Sequence, residues 1–191
     1  PATNQVTKIA IPCVTYLDLH PNHMVPSQSV DGGIVTVVTN NLVHLGPNTC
    51  EVLRNAEGGT LEAIVAGKMI GFSGDRKSII RYTDNGIETI ATGFSFLYRM
   101  DAAVSGFASR YSIKDSAGKL IPDTDLVVVS DNGTGTLAVM QFKDGKAETI
   151  REIVSGINIG DTLDFSMDDT ARLFALVSTV PNWLALWNGS S

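Results

Sequence analysis

Short apolar runs rich in β-branched residues alternate along the chain with turn residues, and this spacing predicts strands. Residues 34–39, Ile-Val-Thr-Val-Val-Thr, are bounded by Gly32-Gly33 and Asn40-Asn41, the composition of a strand held between turns. Residues 126–129, Leu-Val-Val-Val, form a fully apolar run that Ser130-Asp131-Asn132-Gly133 stops, as a strand buried on both faces does. Residues 5–11 alternate polar and apolar positions, the pattern of a strand with one wet face. Helix signals are few. Residues 168–178 either begin with an aspartate cap and set Leu173, Phe174, Leu176 and Val177 on one helical face, or form a buried strand; the run is too short for periodicity to choose. Residues 61–66 are a second helix candidate. The remainder reads as an all-β chain.

Two segments resemble each other. Arg81-Tyr82-Thr83-Asp84-Asn85-Gly86-Ile87-Glu88-Thr89-Ile90 aligns with Gln141-Phe142-Lys143-Asp144-Gly145-Lys146-Ala147-Glu148-Thr149-Ile150. Both place an aromatic residue two positions before an aspartate, then a glycine turn, then Glu-Thr-Ile. Asp-Asn-Gly and Asp-Gly supply the backbone angles of tight hairpins, so both segments predict hairpins. A further strand precedes each, at 68–72 and 126–130. Fainter copies flank the pair. Upstream, 33–40 and 41–45 reach Gly46-Pro47-Asn48 and then 49–53; downstream, 171–177 and 183–187 reach Asn188-Gly189. Leu45, Tyr82, Phe142 and Trp187 mark the corresponding turns, at intervals of 37, 60 and 45 residues.

Repeated meanders of this size are the blades of a β-propeller. The expected architecture is a propeller of about four blades, over tentative units 14–55, 56–93, 94–152 and 153–191 of one all-β domain. The last unit stops at its glycine turn, and residues 4–11 are a strand without a partner of its own. Borrowing the first strand to complete the last blade closes the ring and hides both edges. The alternative is a β-sandwich or jelly roll, in which the similar hairpins are coincidental.

Residues 163–189 resemble a WD40-type propeller blade. They carry Leu163-Asp164-Phe165-Ser166-Met167-Asp168-Asp169, an apolar strand at 173–178, and Leu184-Ala185-Leu186-Trp187-Asn188-Gly189, with Trp-Asn where the family often has Trp-Asp. The Gly-His element of that family is absent. Asp101-Ala102-Ala103 is similar to the blade start of small, four-bladed hemopexin-like propellers. The resemblance implies a rigid scaffold that presents loops to partners.

Composition narrows the picture further. The chain has 191 residues, 43% of them hydrophobic and 18% charged, which suffices for a sizeable core. The formal charge of −6 argues against nucleic acid as the main partner. The apolar runs are too short to span a membrane. Asn4 to Lys8 is polar and the apolar run at 9–14 is short, so no secretory signal is legible. Cys13 and Cys50 lack metal-type spacing; the expectation is a pair of buried free thiols, with a disulfide as the alternative.

Candidate chemistry is sparse. His20-Pro21-Asn22-His23, with His44 elsewhere, lacks an evident third ligand, and the proline favours a surface turn. Asp123, Asp125 and Asp131 offer oxygen ligands for a hard cation such as calcium, although acidic pairs in loops are commonly solvated turns. No Gly-x-Ser-x-Gly elbow, His-Glu-x-x-His helix or phosphate-cradling loop occurs. Tyr82, Phe142, Trp183 and Trp187 recur near the turns and are expected to pack between sheets. Asn132-Gly133-Thr134 and Asn188-Gly189-Ser190 fit the glycan-acceptor pattern but read as turns.

The functional expectation is a non-enzymatic interaction or assembly module that presents loops, 17–33 and 100–122 above all, to a protein partner or to further copies of itself. A viral or phage virion structural protein is one concrete version. A carbohydrate-binding lectin with a glycan ligand is an alternative. A calcium-dependent, lactonase-type hydrolase is another, with calcium as its cofactor.

Overall fold

The computed structural model describes residues 28–30, 33–38, 40–46, 49–154, 162–179 and 183–187. The strand expected at 4–11, and the ring closure built on it, fall outside these residues, as do Cys13, His20 and His23. The chain divides into two compact units, Pro1–Glu57 and Gly58–Ser191.

In the first unit, strands β1 (Gln28–Val30), β2 (Gly33–Val38), β3 (Asn41–Leu45) and β4 (Cys50–Asn55) pair antiparallel in chain order. Val35, Leu42, Val43 and Ala56 are buried. Asn40 turns the β2–β3 hairpin at φ 64°, a left-handed conformation that asparagine tolerates. Cys50 is disulfide-bonded, which corrects the free thiol expected there. Sulfur pairing depends on how closely the fold brings two Cα atoms together, and that separation is not written in sequence spacing.

The second unit holds three antiparallel sheets, each with its strands in chain order. The first comprises β5 (Ala63–Val65), β6 (Lys68–Phe72), β7 (Ser78–Thr83) and β8 (Gly86–Thr92). The second comprises β9 (Leu97–Ala102), β10 (Leu126–Asp131), β11 (Thr136–Lys143) and β12 (Lys146–Val154). The third comprises β13 (Thr162–Met167), β14 (Leu173–Thr179) and β15 (Trp183–Trp187). The chain is therefore all-β, with one helical turn, α1 (Phe107–Arg110), and a 3-10 turn at Asp123–Asp125 among the described residues.

Both helix candidates are strands. Residues 61–66 contain β5, because Ala66 and Gly67 at φ 47° and 72° make a two-residue turn into β6 and Val65 pairs with Lys68. Such a turn matches the twist of paired strands and ends any helix. Residues 168–178 contain β14, which pairs on both sides and so satisfies its backbone across the sheet.

The two similar sequence segments are the third and fourth strands of their sheets. Asp144 and Gly145, at φ 50° and 78°, form the β11–β12 turn expected from Asp-Gly. Both hairpins carry a register shift at matching places, between Ile79 and Ile80 and between Val139 and Met140.

Apolar faces bury between successive sheets. Ile70, Phe72, Ile79, Leu97, Met100, Val127 and Val129 join the first two sheets. Phe107, Ile113, Leu126, Val128, Val139, Leu163, Phe165 and Leu173 join the second and third. β10 feeds both cores, because Val127 and Val129 face one way and Leu126 and Val128 the other. Each large side chain buried this way contributes about 1.5–3 kcal/mol. The first strands adjoin, β5 with β9 and β9 with β13, and the fourth strands β8 and β12 adjoin as well. The three sheets thus stack face to face in one orientation.

Candidate functional site

The adjoining first strands bring charged residues together. On β9, Arg99 and Asp101 stand two residues apart and share a face, while Leu97 and Met100 are buried. On β13, Asp164 lies between the buried Leu163 and Phe165 and projects to the opposite face. Just before β5, Glu62 sits between Leu61 and Ala63 and is itself buried. Glu62 is held there by its own backbone, whose N–H donates to Ile70 O at 2.9 Å.

Arg99 is the hub. Its Nε donates to Asp101 Oδ2 at 3.0 Å, and Nη1 donates to Asp164 Oδ1 at 3.3 Å. Its guanidinium lies 5.4 Å from the centre of the Phe165 ring, a cation–π distance. Burial works against the Arg99 cation, but Asp101 and Asp164 more than offset it and hold the guanidinium firmly charged. Burial raises the Asp101 carboxyl above its usual range, against the opposing pull of Arg99.

Burial also raises the Glu62 carboxyl; the Thr60 side chain and Arg76 oppose this shift, and the Asp101 charge adds to it. Arg76 Nη1 is 3.9 Å from Glu62 Oε1, beyond good hydrogen-bonding distance. Arg76 is occupied elsewhere, with Nη1 donating to Tyr98 O at 3.1 Å and its guanidinium 5.5 Å from the Phe72 ring centre. Glu62 is therefore a desolvated carboxyl with incomplete charge compensation, the condition under which a carboxyl retains its proton to higher pH. Among the described residues, no group of three or more His, Cys, Asp or Glu is arranged to hold a metal ion.

The calcium candidates lie elsewhere and are engaged. Asp123 accepts from Gly106 N and Ala108 N at 2.8 and 2.7 Å, and so fixes the start of α1. Asp131 is buried and accepts from Ser95 N, Phe96 N and Gly133 N at 2.8, 2.7 and 3.0 Å. Asp125 accepts from Thr124 Oγ1 at 3.3 Å. The structure does not bring the three to one point. His44 lies on β3, against Gly33. Tyr82 is buried and donates to Thr60 O at 3.0 Å, and Phe142 packs on the core between the first two sheets. Asn132 Oδ1 accepts from Leu163 N at 3.0 Å.

No sequence motif marks Glu62 or Arg99 as functional, and Asp101 and Asp164 figure only in the propeller-like stretches Asp101-Ala102-Ala103 and Leu163-Asp164-Phe165. The signal that finds them is a charge set within apolar strand sequence at the start of a sheet. Leu61-Glu62-Ala63 and Leu163-Asp164-Phe165 each set one charge between apolar neighbours, and Arg99-Met100-Asp101 sets two charges about one apolar residue.

No family model matches the chain, and no curated protein matches it. A solved structure of a luciferin-regenerating enzyme is similar over 80% of this chain and 54% of its own, with a TM-score of 0.51 and 11% identity. The likeness is one of fold, and the chain spans about half the length of that enzyme. It corrects the expectation of a non-enzymatic chain. That expectation rested on missing sequence motifs, whereas this strand arrangement is one that an enzyme carries, and reactive groups assembled from separate strands leave no contiguous motif.

Proposed function

We propose that the chain is a propeller-type β-scaffold with a small-molecule reactive centre at Glu62, Arg99, Asp101 and Asp164. The observation that carries this reading is the convergence of these four charged groups, three from the adjoining strands β9 and β13 and Glu62 from just before β5, with two carboxyls raised by burial. Support for the propeller comes from meandering sheets whose first strands adjoin and whose matching hairpins share a register shift. A jelly roll would need strands that cross between sheets.

The proposed chemistry is hydrolysis of a small ester or lactone, in which water gives a proton to the Glu62 carboxylate as its oxygen bonds to the carbonyl carbon, and that proton passes to the leaving alkoxide as the ester C–O bond breaks. A carboxyl that keeps its proton above the ordinary range serves as acid and base nearer neutrality, which makes Glu62 the proton-transferring group. Arg99 has a side chain 37% exposed. It faces the substrate as a fixed cation for a developing oxyanion, and Asp101 and Asp164 orient it. A panel of esters and five- and six-membered lactones, assayed with and without calcium, tests the reading. The wild-type chain is expected to turn over at least one substrate, and Glu62→Gln to reduce kcat by about 10²-fold or more. Absence of turnover by the wild type across the panel overturns the reading.

A second reading has its own observation. Residues 103–122 are anchored by Tyr111, whose hydroxyl accepts from Leu173 N and whose carbonyl accepts from Arg151 Nη1. The segment leaves residues 114–120 exposed, Leu120 by 42%. An anchored loop with an exposed apolar tip suits a protein partner or a second copy of the chain. A concentration-dependent shift in sedimentation that Leu120→Glu abolishes is the expected result.

A further inference from the structure

We infer that the groove between the β5–β6 and β11–β12 hairpins is a second ligand site, for a small organic anion carrying one aromatic or cyclic apolar group. The groove has a volume of about 170 Å³. A dry cavity of roughly 150 Å³ takes a benzene ring, which sets the size of the apolar part. Val65, Ile70, Ile90 and Phe142 supply an apolar floor.

Four cations stand around that floor: Lys68, Arg81, Lys143 and Lys146, with Asp144 as the acidic residue of the lining. In a chain of net charge −6 this is a local reversal of sign. Two further details point to an anion. Lys143 and Lys146 face each other directly across the β11–β12 turn, and like charges so placed destabilise a hairpin unless something lies between them. Arg81 is oriented by its ion pair with Glu88, and its guanidinium passes over the turn, 3.3 Å from where a Cβ on Gly145 would lie. A carboxylate or phosphate between the lysines, with its ring on Phe142, supplies the counter-charge that the facing lysines lack. This site is separate from the Glu62 centre, and its test does not depend on turnover.

The test is an amide chemical-shift titration of the full chain with benzoate, phenyl phosphate, inorganic phosphate and benzyl alcohol. Benzoate and phenyl phosphate are expected to move the amides of residues 66–68 and 144–146. Lys143→Ala with Lys146→Ala is expected to weaken binding at least tenfold, each lost cation counting for about fivefold at a solvated site. These lysines are exposed, so the double variant keeps its fold, and Lys68→Gln on the opposite hairpin provides a second variant with a weaker effect of the same sign. Three results overturn the proposal. The amides stay still with both aromatic anions, or inorganic phosphate binds as tightly as phenyl phosphate, or benzyl alcohol binds as tightly as benzoate.

Discussion

Replacing Gly71 by alanine is expected to unseat the backbone that carries Glu62. A Cβ built at Gly71 would lie 1.6 Å from Thr60 O and 2.6 Å from Thr60 C. These are backbone atoms, so no rotamer change relieves the overlap. Residues 60–62 would have to retreat by roughly 2 Å to restore ordinary van der Waals separation. Three hydrogen bonds hold them where they are: Thr60 N to Phe72 O at 3.0 Å, Phe72 N to Thr60 Oγ1 at 3.1 Å, and Glu62 N to Ile70 O at 2.9 Å. Opening all three costs about 3 kcal/mol at roughly 1 kcal/mol each, and residual overpacking adds about 1 kcal/mol or more. The expected loss is about 4 kcal/mol. Gly67→Ala is the internal control. Gly67 has φ +72° and open space around it, so alanine there meets only backbone strain of about 1–2 kcal/mol. Urea titration of both variants reads the difference as a shift in midpoint at unchanged slope. If Gly71→Ala proves no more destabilising than Gly67→Ala, the close approach of β6 to residues 60–62 is wrong, and the placement of Glu62 falls with it.

Glu62→Gln should alter the pH dependence of stability. The folded carboxyl sits above its ordinary 4.5 because of burial, so its stabilising contribution is present below the unfolded value and is lost as pH rises through the folded value; urea midpoints should favour the glutamine variant increasingly as pH rises above the ordinary glutamate value, and parallel profiles would refute the burial argument. Asp131→Ala leaves the Ser95, Phe96 and Gly133 amides without their acceptor, and should cost about 3 kcal/mol equally with and without calcium in thermal melts; a calcium-dependent difference would return Asp131 to a metal role. Cys50 is disulfide-bonded, so alkylation of the unreduced, denatured protein should leave it unlabelled in a peptide map, and labelling would restore the free thiol.

Local chemistry was legible wherever neighbours in sequence are neighbours in space. β6 at Lys68–Phe72 and β10 at Leu126–Asp131 follow from apolar runs closed by turn residues. The Asp144-Gly145 turn follows from dipeptide chemistry, since both residues accept positive φ. Legibility failed at β5, where three strand residues carry too little periodicity to oppose a helical reading. It failed again at Cys50, because pairing is a distance in the fold. The charged centre was hidden for the same reason, since Arg99 and Asp164 are 65 residues apart in sequence. Asp123 and Asp125 lie in a 3-10 turn and Asp131 ends β10, and the fold uses Asp123 and Asp131 to hold backbone amides. Oxygen-rich turns look alike on paper whether they bind a cation or an N–H.

The two charged regions of the second unit differ in how far the protein itself satisfies them. At the first strands, Arg99 is shared between Asp101 and Asp164 and lies beside Phe165, so the cation is compensated and the cost of its partial burial is met internally. Glu62, beside it, is the group left under-compensated, and the cheapest response open to a buried carboxyl is to hold a proton. At the hairpin ends the imbalance has the opposite sign. Lys143 and Lys146 face each other with solvent as their shared counter-charge, next to an apolar floor. On the proposed reading, one region answers its electrostatic mismatch by proton exchange and the other by drawing an anion. This is why proton-transfer chemistry is assigned to Glu62 and ligand binding to the lysine groove.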